Sequence, residues 1–222
     1  MVRATVGGGG HVGKLRLVGI TLISLFVVLN VSVNTGFTLG FDIWLFRIVN
    51  SWSSSGLLDT VMVLFTLYGR EIVWGGTTLG LFFLGGEREK KAAITLGLLF
   101  LILTGVGYGV KALDMRSRPY DVLDNVRLLV GGESDSSFPS GHTLMVFGGV
   151  GVVWLYLRRG FAIILTAEAS LVAFSRVYVG VHFPTDVVGG VLLGAGCALL
   201  VCSFPMLIKS MYEKLPNRLK AT

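Results

Sequence analysis

Charge is scarce in this chain. Only 14% of its 222 residues are Asp, Glu, Lys or Arg, while 53% are hydrophobic, a balance too apolar for an ordinary soluble domain and typical of a polytopic membrane protein. Cysteine is scarcer still. Cys197 and Cys202 both fall in the last apolar run, at a spacing that puts them on different faces of a helix, which argues against a disulfide between them and leaves the redox compartment open. No Cys/His cluster has the spacing of a metal site, and the first apolar run lacks a small-residue cleavage site, so neither a resident metal nor a cleavable signal peptide is expected. The net charge of +6 sits in short clusters between apolar runs, where it orients membrane spans rather than binding nucleic acid.

What is abundant is apolar length. Runs able to cross ~30 Å of hydrocarbon at ~1.5 Å per residue predict an all-α fold of six transmembrane helices. These are Leu15–Val33, Ile72–Gly85, Ala92–Val110, Thr143–Leu157, Phe161–Val179 and Thr185–Ile208. The second and fourth are short and borrow flanking residues. Phe41–Trp52, with Trp44 and Trp52, reads as an interfacial amphipathic helix, and Leu57–Leu67 is too short to span before Gly69, Arg70 and Glu71 intervene. If Leu57–Gly85 is one long span instead, the number of crossings is unchanged. One domain over residues 15–208 then lies between a tail of residues 1–14, in which His11 has no expected role, and a basic tail of residues 209–222.

Sidedness follows from the basic clusters. Arg3, Lys14 and Arg16 precede the first span; Arg88, Lys90 and Lys91 follow the second; Arg158 and Arg159 follow the fourth; Lys209, Lys214, Arg218 and Lys220 close the sixth. Six crossings put all four clusters on one face, which the positive-inside rule makes cytoplasmic, together with both termini. The same count gathers three polar fragments on the opposite, extracytoplasmic face: Lys111 to Arg118-Pro119, Pro139-Ser140-Gly141-His142, and Ser175-Arg176 through His182 to Asp186. Three cations, two imidazoles and a carboxylate are costly in lipid unless they converge on a polar ligand, and an anion suits them best. Lys111, Arg118 and Arg176 can neutralise a phosphoryl group without a metal. Ser140 and Gly141 stand where a helix N-terminus would offer free amides.

These fragments match the pattern of the type 2 phosphatidic acid phosphatase (PAP2) superfamily at every element: Lys, six residues, Arg-Pro; Pro-Ser-Gly-His; Ser-Arg, five residues, His, three residues, Asp. The chain therefore resembles that superfamily of integral membrane lipid phosphatases, phosphatidylglycerophosphatase B and undecaprenyl-diphosphatase types included, over residues 111–186. The resemblance implies a metal-independent hydrolase with no cofactor, acting on a phosphorylated lipid or polyprenyl diphosphate in the membrane. It also implies roles: His182 attacks phosphorus to form a phosphohistidine, Asp186 holds the other ring nitrogen, and His142 protonates the leaving oxygen. Lys111, Arg118, Ser140, Gly141 and Arg176 would bind the phosphate.

Taken singly, each of these residues has a plain structural reading, such as a cap, a helix stop or an exposed loop histidine; taken together they do not. Two other functions fit part of the pattern: a transporter that only binds a phosphate-bearing lipid, and a haloperoxidase-like enzyme holding vanadate. Charge at span ends rather than at the midplane argues against transport. Glu133 and Asp135 are expected to lie in a solvated loop. Glu168, inside the fifth span, is expected to fix helix packing, protonated or internally paired, and the glycines from Gly148 to Gly196 to let helices pack closely.

Overall fold

A computed structural model describes residues 9–52 and 56–220, so Arg3 and residues 1–8 of the predicted tail lie outside the described residues. Within them every regular element is helical. The order is α1 (Gly9–Asn34), α2 (Leu39–Asn50), α3 (Gly56–Leu64), a π-helical segment (Phe65–Trp74), α4 (Gly75–Leu84), α5 (Glu87–Leu113), α6 (Pro119–Val122), α7 (Gly141–Tyr156), α8 (Arg159–Tyr178), α9 (Pro184–Cys202), α10 (Pro205–Glu213) and a closing 3-10 turn (Asn217–Leu219). Four of these helices are long and apolar enough to cross a membrane: α1, α5, α8 and α9. The apolar α7 is shorter, at 16 residues. From Gly56 to Leu84 the chain is helical without a break, the polar interruption at Gly69-Arg70-Glu71 being absorbed by the π-helical turns.

One expectation needs correction. The sixth predicted span, Thr185–Ile208, stops at Cys202, because Pro205 has no N–H to continue the helical ladder and instead opens α10 as a separate helix. At the other end of the chain α1 begins at Gly9, so helix already runs through the last part of the tail of residues 1–14.

The core is built on α9. It packs against α7 on one side and α1 on the other, and small residues make both contacts possible. A Cβ at Gly194 would stand 2.3 Å from the Leu144 carbonyl oxygen of α7, and one at Gly196 would stand 2.8 Å from Ile23 of α1. Backbone therefore touches backbone. Cys197 and Cys202 are both free and buried in this core.

The basic turns meet at one end of the bundle. Arg16 of α1 reaches Ser203 after α9 at 3.3 Å, Arg88 of α5 reaches the Leu155 carbonyl of α7 at 3.3 Å, and Lys90 reaches the Leu219 carbonyl at 2.9 Å. The other end holds the polar fragments. There Asn30 of α1 donates to Asp114, just past α5, at 2.7 Å, and the Ser140 amide donates to the Asp186 carbonyl at 3.0 Å, joining the starts of α7 and α9.

Gly194→Ala should destabilise the protein by about 1–3 kcal/mol through overpacking against unyielding backbone, whereas Gly97→Ala, with nothing within 4 Å of the new Cβ, should not. Thermal unfolding in detergent measures both, and equal midpoints for the two variants would contradict the packing described.

Candidate active site

The α8–α9 turn sets the first half of the site. Gly180 takes φ +92, a left-handed conformation that side-chain-bearing residues rarely adopt, and a Cβ there would also strike the Arg127 carbonyl at 2.7 Å. Past this turn, the amides of Val181 and His182 both donate to the Arg176 carbonyl at 3.2 Å. His182 is thereby fixed beside the last turn of α8. Pro184 then starts α9 and Asp186 falls in its first turn, where its Oδ2 accepts the Phe183 amide at 2.7 Å.

Asp186 and His182 are both fully buried, and His182 Nδ1 faces Asp186 Oδ2 at 3.4 Å. Ser137 completes a triangle, its hydroxyl donating to the same carboxylate oxygen at 2.5 Å and lying 3.4 Å from His182 Nδ1. The other ring nitrogen, Nε2, is buried and has no hydrogen-bond partner among the described residues. Burial, reinforced by Arg176, Arg118 and Lys111, holds the imidazole well below its usual pKa, so His182 is neutral.

The three cations of the sequence motifs do converge. Arg118 and Arg176 are 1% and 2% exposed, a degree of burial a guanidinium tolerates only when paired. Their counter-ions are Glu133 and Asp135. Arg118 meets Glu133 at 2.6 Å and Asp135 at 2.5 Å, Arg176 meets Glu133, and Lys111 meets Asp135 at 2.8 Å. The loop that carries these two acids is solvated as expected, at 34% exposure for Glu133 and 47% for Asp135, but both carboxylates also pair with the buried cations. Burial would raise both carboxyls, yet Arg176 and Arg118 around Glu133, and Lys111 and Arg118 around Asp135, hold them below the usual range. Tyr120 fastens the loop, donating to the Glu133 carbonyl at 2.7 Å and accepting its amide at 2.8 Å.

A cavity of about 820 Å³ opens onto this cluster. Lys111, Glu133, Asp135, Gly141 and His142 line its polar end, and Phe100, Leu103, Leu144 and Met145 its apolar end. Ser140 is the N-cap of α7 as expected, but its buried hydroxyl accepts from Thr143 at 3.1 Å instead of capping the helix. A Cβ on Gly141 would meet nothing within 4 Å, so the start of α7 faces open space.

Sequence reasoning missed a second layer. Arg116 pairs with both Asp186 and Asp42 and lies over the Phe183 ring at 4.7 Å, while Asp42 also accepts from the Thr185 amide at 2.9 Å and hydroxyl at 2.6 Å. The available signal was Asp42 itself, one acid in an otherwise greasy amphipathic helix. Glu168 does have a partner, the indole N–H of Trp74 at 2.8 Å, contributed by the π-helical segment.

A bare imidazole nitrogen beside three cations calls for an electrophilic anion, and within so apolar a helical bundle that defines a membrane-bound enzyme of phosphoryl chemistry. Comparison with known proteins fixes the family. The model of the PAP2 superfamily matches residues 90–208, more than half of the chain, and the chain belongs to that superfamily; it is a phosphoric ester hydrolase. It is 35% identical over 182 residues to an undecaprenyl-diphosphatase of Sulfolobus acidocaldarius, covering 81% of this chain and 87% of the relative. Among solved structures it is similar to the LpxE protein of Aquifex aeolicus (TM-score 0.65, 30% identity, 72% of this chain and 94% of that one). It is also similar to a transmembrane PAP2-type phosphatidylglycerolphosphate phosphatase of Bacillus subtilis (TM-score 0.67, 26% identity, 90% and 98%).

Arg116→Met would leave Asp42 and Asp186 as buried carboxylates without their shared counter-ion. The expected loss is about 3–5 kcal/mol of stability, read from detergent unfolding, and parental stability would mean that the network is not what holds α2 to α9.

Proposed function

We propose that the chain is a metal-independent phosphatase that hydrolyses lipid phosphates or polyprenyl diphosphates at the extracytoplasmic membrane face through a phosphohistidine intermediate. The observation that carries this reading is His182 Nε2, buried and unpartnered beside cations whose counter-ions come from a single loop.

A phosphoryl group takes the place of Glu133 and Asp135 on Lys111, Arg118 and Arg176, with amides at the start of α7 adding hydrogen bonds. His182 Nε2 forms a bond to phosphorus as the bond to the leaving oxygen breaks, and His142 delivers a proton to that oxygen. Positive charge develops on the His182 ring. Asp186, oriented by Ser137, Arg116 and the Phe183 amide, stabilises it through Nδ1. Water, activated by the now basic His142, then attacks the phosphohistidine and releases inorganic phosphate. The fixed cations Lys111, Arg118 and Arg176 stabilise the charge on the phosphoryl group throughout.

The topology proposed with it counts six crossings: α1, the continuous helix from α3 through α4, α5, α7, α8 and α9. The basic turns at one end then face the cytoplasm. Outward-facing Phe41, Trp44 and Trp52 on and beside α2 suit the opposite membrane interface, and the apolar end of the cavity suits a lipid chain.

Purified protein in detergent, given polyprenyl diphosphate, phosphatidic acid and phosphatidylglycerol phosphate, should release phosphate from at least one of them in EDTA and be blocked by vanadate. Activity lost to EDTA and restored by Mg²⁺ or Zn²⁺ would overturn the metal-free mechanism.

The two histidines separate by leaving group. His182→Ala should form no phosphoenzyme with any substrate, whereas His142→Ala should recover at least about tenfold of its lost rate on a substrate whose leaving group departs without protonation. Phosphate trapped on His142, or equal rescue of both variants, would reverse the assignment.

A further inference from the structure

Arg70 belongs to none of the three sequence motifs and to none of the basic clusters that orient the membrane spans, yet it lines the same cavity as Lys111, His142 and Asp135. Its place there is built. It lies on the π-helical segment, where longer turns keep residues four apart near one face, and that face carries Thr66, Arg70 and Trp74. Thr66 is tied to the site end of α8, accepting from Ser175 at 3.0 Å and from Arg176 at 3.3 Å. Trp74 is tied to Glu168, farther along α8, and packs on Gly149 of α7, where a Cβ would stand 2.0 Å from the ring. Gly69 seats the segment, since a Cβ there would stand 2.4 Å from Val172. Arg70 therefore falls between two anchored residues, one turn farther from the cation cluster than Thr66 and toward the apolar end of the cavity.

That position is where a lipid bearing two phosphates would need a cation. With the outer phosphoryl group on Lys111, Arg118 and Arg176, the inner phosphate, joined to the lipid, points toward the apolar lining. Resting on the hydrolase reading above, we propose that Arg70 binds the inner phosphate of a lipid diphosphate and so selects diphosphate over monophosphate lipids. As His182 Nε2 bonds to the outer phosphorus, the bond to the bridging oxygen breaks and its electron pair leaves with the lipid monophosphate, which gains one negative charge before protonation by His142. Water later releases the outer phosphate. Arg70 meets the new charge on the departing group. Glu71, the adjacent residue and its ion-pair partner, also lines the cavity and is the group the inner phosphate displaces.

The test compares kcat/KM on a polyprenyl diphosphate with kcat/KM on phosphatidic acid for wild type, Arg70→Met and Arg70→Lys. The diphosphate-to-monophosphate preference should fall roughly 10- to 100-fold in Arg70→Met and recover in part in Arg70→Lys, as expected for loss of a charge-assisted contact. An unchanged ratio, whether both activities fall together or neither falls, overturns the proposal. Should wild type hydrolyse neither lipid, the phosphatase reading fails instead. The proposal then stands or falls on binding: inorganic pyrophosphate should raise the detergent melting temperature of wild type more than inorganic phosphate does, and Arg70→Met should lose that difference.

Discussion

Two guanidinium groups buried among apolar helices set the terms for this fold. Arg118 and Arg176 are almost completely withdrawn from water, and desolvated charge is stabilised only where opposite charge and hydrogen-bond acceptors surround it. Carbonyls supply part of this: Arg118 donates to Val181 at 2.9 Å and to Asp135 at 3.1 Å. Carboxylates from the loop before α7 and the Thr66 hydroxyl supply more, leaving Arg176 Nε buried without a partner among the described residues. The need to satisfy these cations thus fixes the loop, the α8–α9 turn and the start of α7 relative to one another, and that arrangement places His182.

Much of this was legible in the sequence, for a definite reason. Apolar runs must match hydrocarbon thickness, so α1, α5, α8 and α9 stand out by length alone, and polar groups in a greasy chain have no camouflage. Lys111, Arg118, Ser140, His142, Arg176, His182 and Asp186 could be picked by type and spacing. Where reading failed, the missing information was tertiary. Nothing local marks Glu133 and Asp135 as counter-ions, because solvated loops are acidic too. Nothing local says that Asp42 turns inward while Phe41 and Trp44 turn outward, although all three share one short helix. The polar stretch at Gly69-Arg70-Glu71 reads as a helix break, and only contacts to α8 show why it winds as π-helix instead. Pro205 was visible throughout, but the apolar residues on either side of it concealed the break it makes.

Glycine and charge serve the same end here from opposite directions. Gly190 and Gly194 let α7 and α9 approach until a Cβ would collide with backbone, and that close approach brings the N-termini of the two helices side by side. The Ser140 amide can then bond the Asp186 carbonyl. Packing between α7 and α9 therefore governs polar geometry at the site, because the Pro-Ser-Gly-His motif opens α7 and Asp186 falls in the first turn of α9.

The acidic residues around the site fall into two sets, and exposure separates them. Asp42 and Asp186 are fully buried, each held by several donors, and share Arg116; a network so enclosed is suited to keeping His182 in one orientation. Glu133 and Asp135 are 34% and 47% exposed and line the cavity. They neutralise Lys111, Arg118 and Arg176 from the side a ligand would enter, and they stay ionised because those same cations hold them so. A phosphate brings equal or greater charge in a geometry the guanidinium forks favour. Under the proposed reading, then, the inner set is a fixed scaffold and the outer set an exchangeable one. The cations need never be left bare in an apolar bundle, because the substrate replaces one neutralising partner with another.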